Sequence, residues 1–319
     1  MAWTDILGHE DAKRLLQTHL RAEAVASAYL FAGPDGVGKR RLALEMAKAL
    51  NCSGDGAKPC DACSTCSRIT RGVHPDVHVL SPGGASDQIK IEEIRHLLGR
   101  IALRPFSAAM QAAIIDGADR LTEEAANSLL KALEEPPAHT RFLLTTSRLS
   151  FCLPTIVSRC QLVRCGPLPV DAVKRLLIAQ GRCDAAMAEA VAPLAAGGVA
   201  FAADLAGRWA EHQRLRGRLA DPSPSAWLEQ PLPETREGVA HLLEGMMAWL
   251  RDAAVASAAD SSRVADLDRC VQTAMELFAL RESLDQFVSP RLVASLAREK
   301  WLGLIPEVPG HFSFSQGPR

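Results

Sequence analysis

Three groups of residues in this 319-residue sequence have the types and spacing to do chemistry. The stretch Gly33-Pro34-Asp35-Gly36-Val37-Gly38-Lys39-Arg40 follows the spacing GxxxxGK. In such a loop the backbone amides at the start of a helix cradle phosphate and the lysine reaches the terminal phosphates. The next position should carry a Ser or Thr hydroxyl for magnesium, but here it is Arg40, which has no acceptor and adds positive charge where the cation would sit. A glycine-rich turn kept for its backbone shape, with nucleotide no longer bound, satisfies the same residues. The presence of ATP or ADP at Gly33, Gly38 and Lys39 is therefore left open. The second group is Cys52, Cys60, Cys63 and Cys66, in a loop rich in Gly, Asp, Lys and Pro. Four thiolates so close suit one tetrahedral structural Zn2+ that stands in for a core; the alternative is four reduced surface thiols. The third group is polar and sits at strand ends: Asp116 after the apolar run 112–115, and Thr145, Thr146 and Ser147 after 142–144.

The surrounding pattern shows what must position these groups. Ala28-Tyr29-Leu30-Phe31-Ala32 reads as a buried strand running straight into the loop, and Leu42, Ala43, Met46, Ala47 and Leu50 keep helical spacing after it. Between the Asp116 and Thr146 strands, Ala125, Leu129, Leu130 and Leu133 mark a helix. Thr122 is placed to cap it, Glu123 and Glu124 suit its positive end, and Pro136-Pro137 stops it. Pro154 opens a short helix closed by Ser158-Arg159-Cys160, which leaves Arg159 on a turn near the sheet's edge. Strand, helix, strand in this order predicts a parallel α/β sheet whose ligand edge lies at the strand C-termini. Residues 4–24 predict an entry helix, and His74 and His78, on either side of Pro75, predict a solvated loop and strand edge.

Cys165-Gly166-Pro167-Leu168-Pro169 breaks the pattern, and three helices are expected from Val170 to about Ala206. Beyond that the chain reads as helix throughout. Leu242, Leu243, Met246, Trp249 and Leu250 share one helical face and Val271, Ala274, Met275, Phe278 and Leu280 another, and both faces are expected in a core. The tail from Val308 to Arg319 is expected to be disordered.

An Asp-ended strand, the helix Leu129–Pro137 reading LLKALEEPP, a sensor strand and Ser158-Arg159-Cys160 follow one another, and the four-cysteine insert comes just after the phosphate-loop helix. In this the chain resembles the AAA+ clamp-loader ATPases of bacterial DNA polymerase III, well over about residues 5–206 and weakly over 207–306. The resemblance implies an α/β AAA+ (RecA-like) domain with a parallel sheet over 1–166, with its zinc module at 52–66. It also implies a three-helix lid domain over 167–206 and an all-α oligomerisation collar over 207–319. In such ATPases an Asp at the place of Asp116 holds magnesium, Thr146 lies on the sensor strand, and a Glu following the Asp orients the attacking water. Here Gly117 follows, and Asp119 comes one turn too late. Where a lid arginine would touch nucleotide stand Val199, Ala200 and Phe201. Three hydrolytic contacts are thus missing. The implied role is a stator or scaffold subunit that does not hydrolyse ATP. It would supply Arg159 in trans as an arginine finger to a neighbouring gamma/tau-type ATPase subunit, beside a delta subunit, in a complex that loads the sliding clamp on primed DNA.

Composition narrows the classes. The formal net charge of −1 gives no overall basic excess to grip DNA by counterion release, so DNA and clamp are expected to be met through the complex. No apolar run approaches a membrane span, the N-terminus has no secretory pattern, and nine cysteines with four crowded together suit a reducing compartment. A soluble cytoplasmic protein is expected. The competing readings are an active ATPase motor subunit of the same loader, a zinc-containing nucleic-acid module, and an unrelated AAA+ chaperone or helicase loader.

Overall fold

Five apolar runs become the strands β1 (Ala28–Ala32), β2 (Val77–Leu80), β3 (Gln111–Asp116), β4 (Thr140–Thr146) and β5 (Gln161–Arg164). In the computed structural model, which describes residues 3, 6–83, 87–219, 227–228, 231–258, 264–285 and 288–304, they form one all-parallel sheet in the order β2-β3-β4-β1-β5. Their near-continuous hydrophobicity has a direct cause, since helices cover both faces and leave neither to water. On one face Tyr29, Phe31, Ile114, Leu143 and Val163 pack with Leu16 of α1 (Glu10–Arg21) and with Leu42 and Met46 of α2 (Lys39–Asn51). After α3 (Ser64–Thr70) come α4 (Ile91–Ile101), α5 (Glu123–Glu134) and α6 (Pro154–Arg159). Their Ile94, Leu129, Leu133 and Ile156 cover Leu30, Ile115, Phe142 and Leu144 on the other face. This is the parallel α/β sheet expected from the sequence.

Local signals mark the element ends. Thr122 caps α5 by accepting the Ala125 N–H at 3.3 Å, and Pro154 opens α6, so that Arg159 is the last residue of that helix. The entry helix is shorter than residues 4–24. It starts at Glu10 because Gly8 and His9 adopt left-handed backbone (φ 73° and 58°), held by a 2.7 Å contact between the His9 ring and Val37 O; Ile6 is buried outside it. His74 and His78 also depart from expectation: both are buried, at 5% and 8% exposed. His74 Nδ1 accepts the Asp76 N–H at 3.2 Å, and burial lowers the pKa of both rings.

The chain divides into two compact units, residues 1–206 and 207–319. The first unit also contains α7 (Val170–Ala179), α8 (Ala185–Val191) and α9 (Val199–Gly207). The first N–H of α9, on Val199, donates to Gly36 O at 3.0 Å, which seats this helix on the phosphate loop. The second unit is all helix: α10 (Trp209–Leu219), α11 (Arg236–Ala258), α12 (Val264–Asp285) and α13 (Pro290–Leu304). Leu242, Leu243, Met246, Trp249 and Leu250 are buried as expected, with Trp249 edge-on to Trp301 at 5.2 Å between ring centroids. The second predicted core stripe is only partly core, with Ala274 and Leu280 packed against the buried cluster. Val271, Met275 and Phe278 are 48%, 70% and 56% exposed, because α12 packs through a narrower seam of Cys270, Leu277 and Leu284. The tail from Val308 to Arg319 lies outside the described residues. Among the described residues no helix is long and apolar enough to cross a membrane.

Asp76, 2% exposed, anchors the loop before β3 by accepting N–H groups from Phe106 (2.6 Å), Ser107 and Ala108 (both 2.8 Å). Burial raises its pKa, but the three amide donors outweigh it and hold the carboxyl below the ordinary aspartate range. Its stabilising contribution is therefore present above about pH 4 and is lost as pH falls through the depressed folded value. Asp76→Asn is expected to cost about 2–4 kcal/mol at pH 7 and progressively less below about pH 4, read by denaturant unfolding across that range.

Candidate functional site

The C-terminal ends of β1, β3 and β4 meet at one edge of the sheet. Gly33 leaves β1 with its N–H on Thr146 O at 3.2 Å, and a Cβ at this position would lie 1.8 Å from Cys165 O, so only glycine lets the loop pass. Gly38 then caps α2. Lys39, 7% exposed, folds back into the loop and donates to Pro34 O (2.6 Å), Gly33 O (2.8 Å) and Ser147 Oγ (3.0 Å). Burial lowers its pKa, opposed first by the Asp35 carboxylate. Ser147 also hydrogen-bonds Asp35. A cleft of about 990 Å³ opens here, lined among others by Gly38, Lys39, Arg40, Asp116, Thr145 and Ser147.

Arg40 does not point away from this cleft. Its Nη1 lies 3.5 Å from Asp116 Oδ2, while Asp116 Oδ1 accepts from Thr145 Oγ1 at 2.7 Å. The residues do not fit a magnesium ion: a hydroxyl ligand is missing and a guanidinium faces the carboxylate. Gly117 has φ 103°, and a Cβ on it would meet Pro82 Cγ at 3.2 Å, so a glutamate could not simply be restored there.

Of the residues picked out from sequence, Gly38, Lys39 and Asp116 line the cleft, whereas Gly33 and Thr146 do not. The Thr146 hydroxyl donates to Asp119 at 2.9 Å, and Asp119, with its side chain 2% exposed, also accepts from Ser147 N and Arg148 Nε. Asp119 is therefore a buried bracket between strand ends. At the end of β4 it is Thr145 and Ser147 that line the cleft, with Asp119 beside them, and the two-residue period of a strand, which puts 145 and 147 opposite 146, was the signal available in the sequence.

The four cysteines converge. The Sγ atoms of Cys52, Cys60, Cys63 and Cys66 all lie within 4.8 Å of one another, where a tetrahedron with bonds of about 2.3 Å needs edges of about 3.8 Å. Cys52, Cys60 and Cys63 each accept a backbone N–H, from Cys60, Cys63 and Cys66 at 3.3, 3.3 and 3.4 Å. At Cys63 burial opposes the thiolate, yet the Cys66 amide and the other hydrogen bonds prevail and its pKa falls to about 5; burial pushes the Cys66 thiol up. The donor set fits one metal ion, and no other such cluster occurs among the described residues. A buried ion triad ties this loop to the phosphate-loop helix, with Lys48 Nζ 2.7 Å from Glu45 Oε1 and 2.9 Å from Asp61 Oδ1. Arg159 stands apart from both groups. Its guanidinium lies 2.5 Å from Glu134 Oε1 and donates to Thr155 O at 3.1 Å, with about a third of the side chain exposed.

The sequence profile described as DNA polymerase III, delta subunit, matches residues 8–169, a stretch that includes the phosphate loop, the cysteines, Asp116 and Arg159. The chain belongs to this family. It is 40% identical over 167 residues to DNA polymerase III subunit delta' of Bacillus subtilis, a match covering 52% of this chain and 50% of that protein. It is 34% identical over 222 residues to subunit delta' of Pseudomonas aeruginosa, covering 65% of this chain and 67% of that one. DNA polymerase III subunit tau of Salmonella typhimurium is 35% identical over 176 residues, covering 55% of this chain and 27% of the relative. The match with the Bacillus relative thus spans half of that protein's length.

In this DNA polymerase III delta-subunit family member, the dialysed full-length chain is expected to retain about one metal ion with its four cluster thiols protected from titration. Cys63→Ser is expected to lose the ion and loosen residues 52–66 while the helices of the second unit persist. Metal analysis with thiol titration checks this, and freely reactive thiols without metal would overturn it.

Proposed function

We propose that this chain is a non-hydrolysing stator or scaffold subunit of the DNA polymerase III clamp loader. The observation that carries the reading is the ion pair Arg40–Asp116, which sets a guanidinium against the carboxylate that a magnesium-dependent ATPase would use. Gly117, in left-handed backbone, removes the water-orienting acid from the same edge. The names of the delta' relatives agree with this reading. An ATPase motor subunit is the alternative, favoured by the retained Lys39 and by the tau relative.

On this reading the four cysteines hold a structural zinc ion, which braces the loop after α2 and takes no part in turnover. The second unit supplies assembly contacts, for which the exposed apolar stripe Val271, Met275 and Phe278 is available. The partners are gamma/tau-type ATPase subunits and a delta subunit, DNA and the sliding clamp are reached through the complex, and the setting is cytoplasmic.

The catalytic contribution is made in trans. Arg159 ends α6 on the surface, and its bond to Glu134 is an exposed ion pair worth no more than about 1 kcal/mol. Trading that carboxylate for a γ-phosphate on a neighbouring subunit is therefore cheap. A forked, permanently charged guanidinium suits the charge developing during phosphoryl transfer.

The isolated chain is expected to hydrolyse no ATP above background; steady turnover abolished by Lys39→Ala would instead establish the motor reading. In the assembled complex, with the other ATP sites inactivated, Arg159→Ala is expected to leave assembly intact and to slow the facing site by on the order of 10³. Unchanged turnover there would reduce Arg159 to a partner of Glu134.

A further inference from the structure

We infer that Arg218 and Arg298, beside a groove in the second unit, form a docking site for an acidic peptide segment of a partner protein, with one of its carboxylates taken between the two guanidinium groups. Among the described residues neither arginine has an acidic partner. Arg218 lies near the end of α10 with its guanidinium 4.0 Å from the Trp227 ring centroid, and its Nε and Nη2 are both buried without a hydrogen-bond acceptor. These two donors form one edge of the guanidinium, the edge that takes both oxygens of a carboxylate at once. Leaving that edge empty is costly, because a charged donor has given up its hydration and gained no partner. Burial lowers the Arg218 pKa and the Arg298 charge adds to the effect, so two like charges act on each other with no acid between them.

Arg298 opens onto a groove of about 520 Å³. One wall is a row along α13, where Arg291, Ser295 and Arg298 recur at i, i+4 and i+7 and share a helix face; the other includes Leu228, Leu232 and Pro233. At the Arg291 end the charge is already met by Glu234 at 2.8 Å, in an exposed pair. The Arg298 end is the one left unanswered. An apolar wall opposite an unpaired cation suits a peptide that alternates apolar and acidic side chains. Nucleic acid suits it less, since the second unit holds more acidic than basic residues and has no basic excess to grip a phosphate backbone. The free Arg218 donors lie beneath the surface, so an entering carboxylate meets Arg298 first and Arg218 turns out from the Trp227 face to join it.

The groove and both arginines lie within the second unit, so the site stands whether or not the chain hydrolyses ATP.

The test is fluorescence anisotropy of a labelled peptide of alternating Leu and Glu titrated with the full-length chain, with a Leu and Gln peptide of the same length as control. The acidic peptide is expected to bind saturably and the neutral one not, and Arg218→Met and Arg298→Met are each expected to weaken binding by about tenfold or more. Urea unfolding followed by tryptophan fluorescence separates a binding role from a structural one, and it reads mainly the second unit because four of the five tryptophans lie there. Without peptide, Arg218→Met is expected to unfold at the same or a higher urea concentration than wild type, because an apolar chain replaces a buried charge that has no partner. With the acidic peptide only the wild type is expected to gain stability. The site is overturned by an acidic peptide that fails to bind, by a neutral peptide that binds as well, or by folded variants that bind like wild type. Arg218→Met that unfolds earlier without peptide makes Arg218 a support for Trp227 and overturns its role. Displacement of the peptide by citrate or by an oligothymidylate at equal concentration of charge overturns the assignment to a peptide. Should Arg218→Met not fold, Arg298→Met, on a partly exposed side chain, decides.

Discussion

The register of the central strands governs where every polar group of the site lies. Ala32 pairs with Thr146 and Asp116 with Thr145, so the phosphate loop, the acid and the polar end of β4 emerge side by side. A slip of one residue would exchange the faces of Thr145 and Thr146 and break their hydrogen bonds to Asp116 and Asp119. The register is secured by burial on both faces, because Leu30, Phe31, Leu143 and Leu144 are all fully buried between helices. The close approach of Gly33 to Cys165 O ties β1 to the chain leaving β5, which tolerates no side chain at the first loop position.

Within that frame three buried charged groups are held by partners. Lys39 sits among carbonyl and hydroxyl acceptors, Lys48 between Glu45 and Asp61, and Asp119 among a hydroxyl, an amide and a guanidinium. Leaving such a group unpaired in a dry interior costs several kcal/mol, which is why these networks hold the loop and the cysteine segment in place. The Lys48 triad links the helix that begins at the phosphate loop to the segment carrying the four cysteines. A structural metal in that segment would thus brace α2 at the end opposite the cleft.

The exposed charges behave differently. Arg40–Asp116 and Arg159–Glu134 are solvent-accessible pairs that water screens, so each guanidinium can change partner at small cost. Both arginines are therefore held by weak contacts on a rigid scaffold.

The sequence by itself determined the elements and their chemistry. Continuous apolar runs specified a doubly covered sheet, Thr122 and Pro136 delimited α5, four close cysteines specified a cluster, and the phosphate-loop spacing and the strand ending in Asp116 picked out residues that line one cleft. These signals are local, and each depends on residues within a few positions of one another. Only the tertiary structure decided which way side chains turn toward distant partners. Arg40 finds Asp116 across 76 residues, Thr146 turns to Asp119 and leaves the cleft to Thr145 and Ser147, and Arg159 rests on Glu134. His74 and His78 are buried although their segment reads as polar, and Val271, Met275 and Phe278 are exposed although their spacing reads as core. The reason is common to all of these. Periodicity shows that a face exists, but what covers that face depends on strand order and helix packing set by residues far away in the chain.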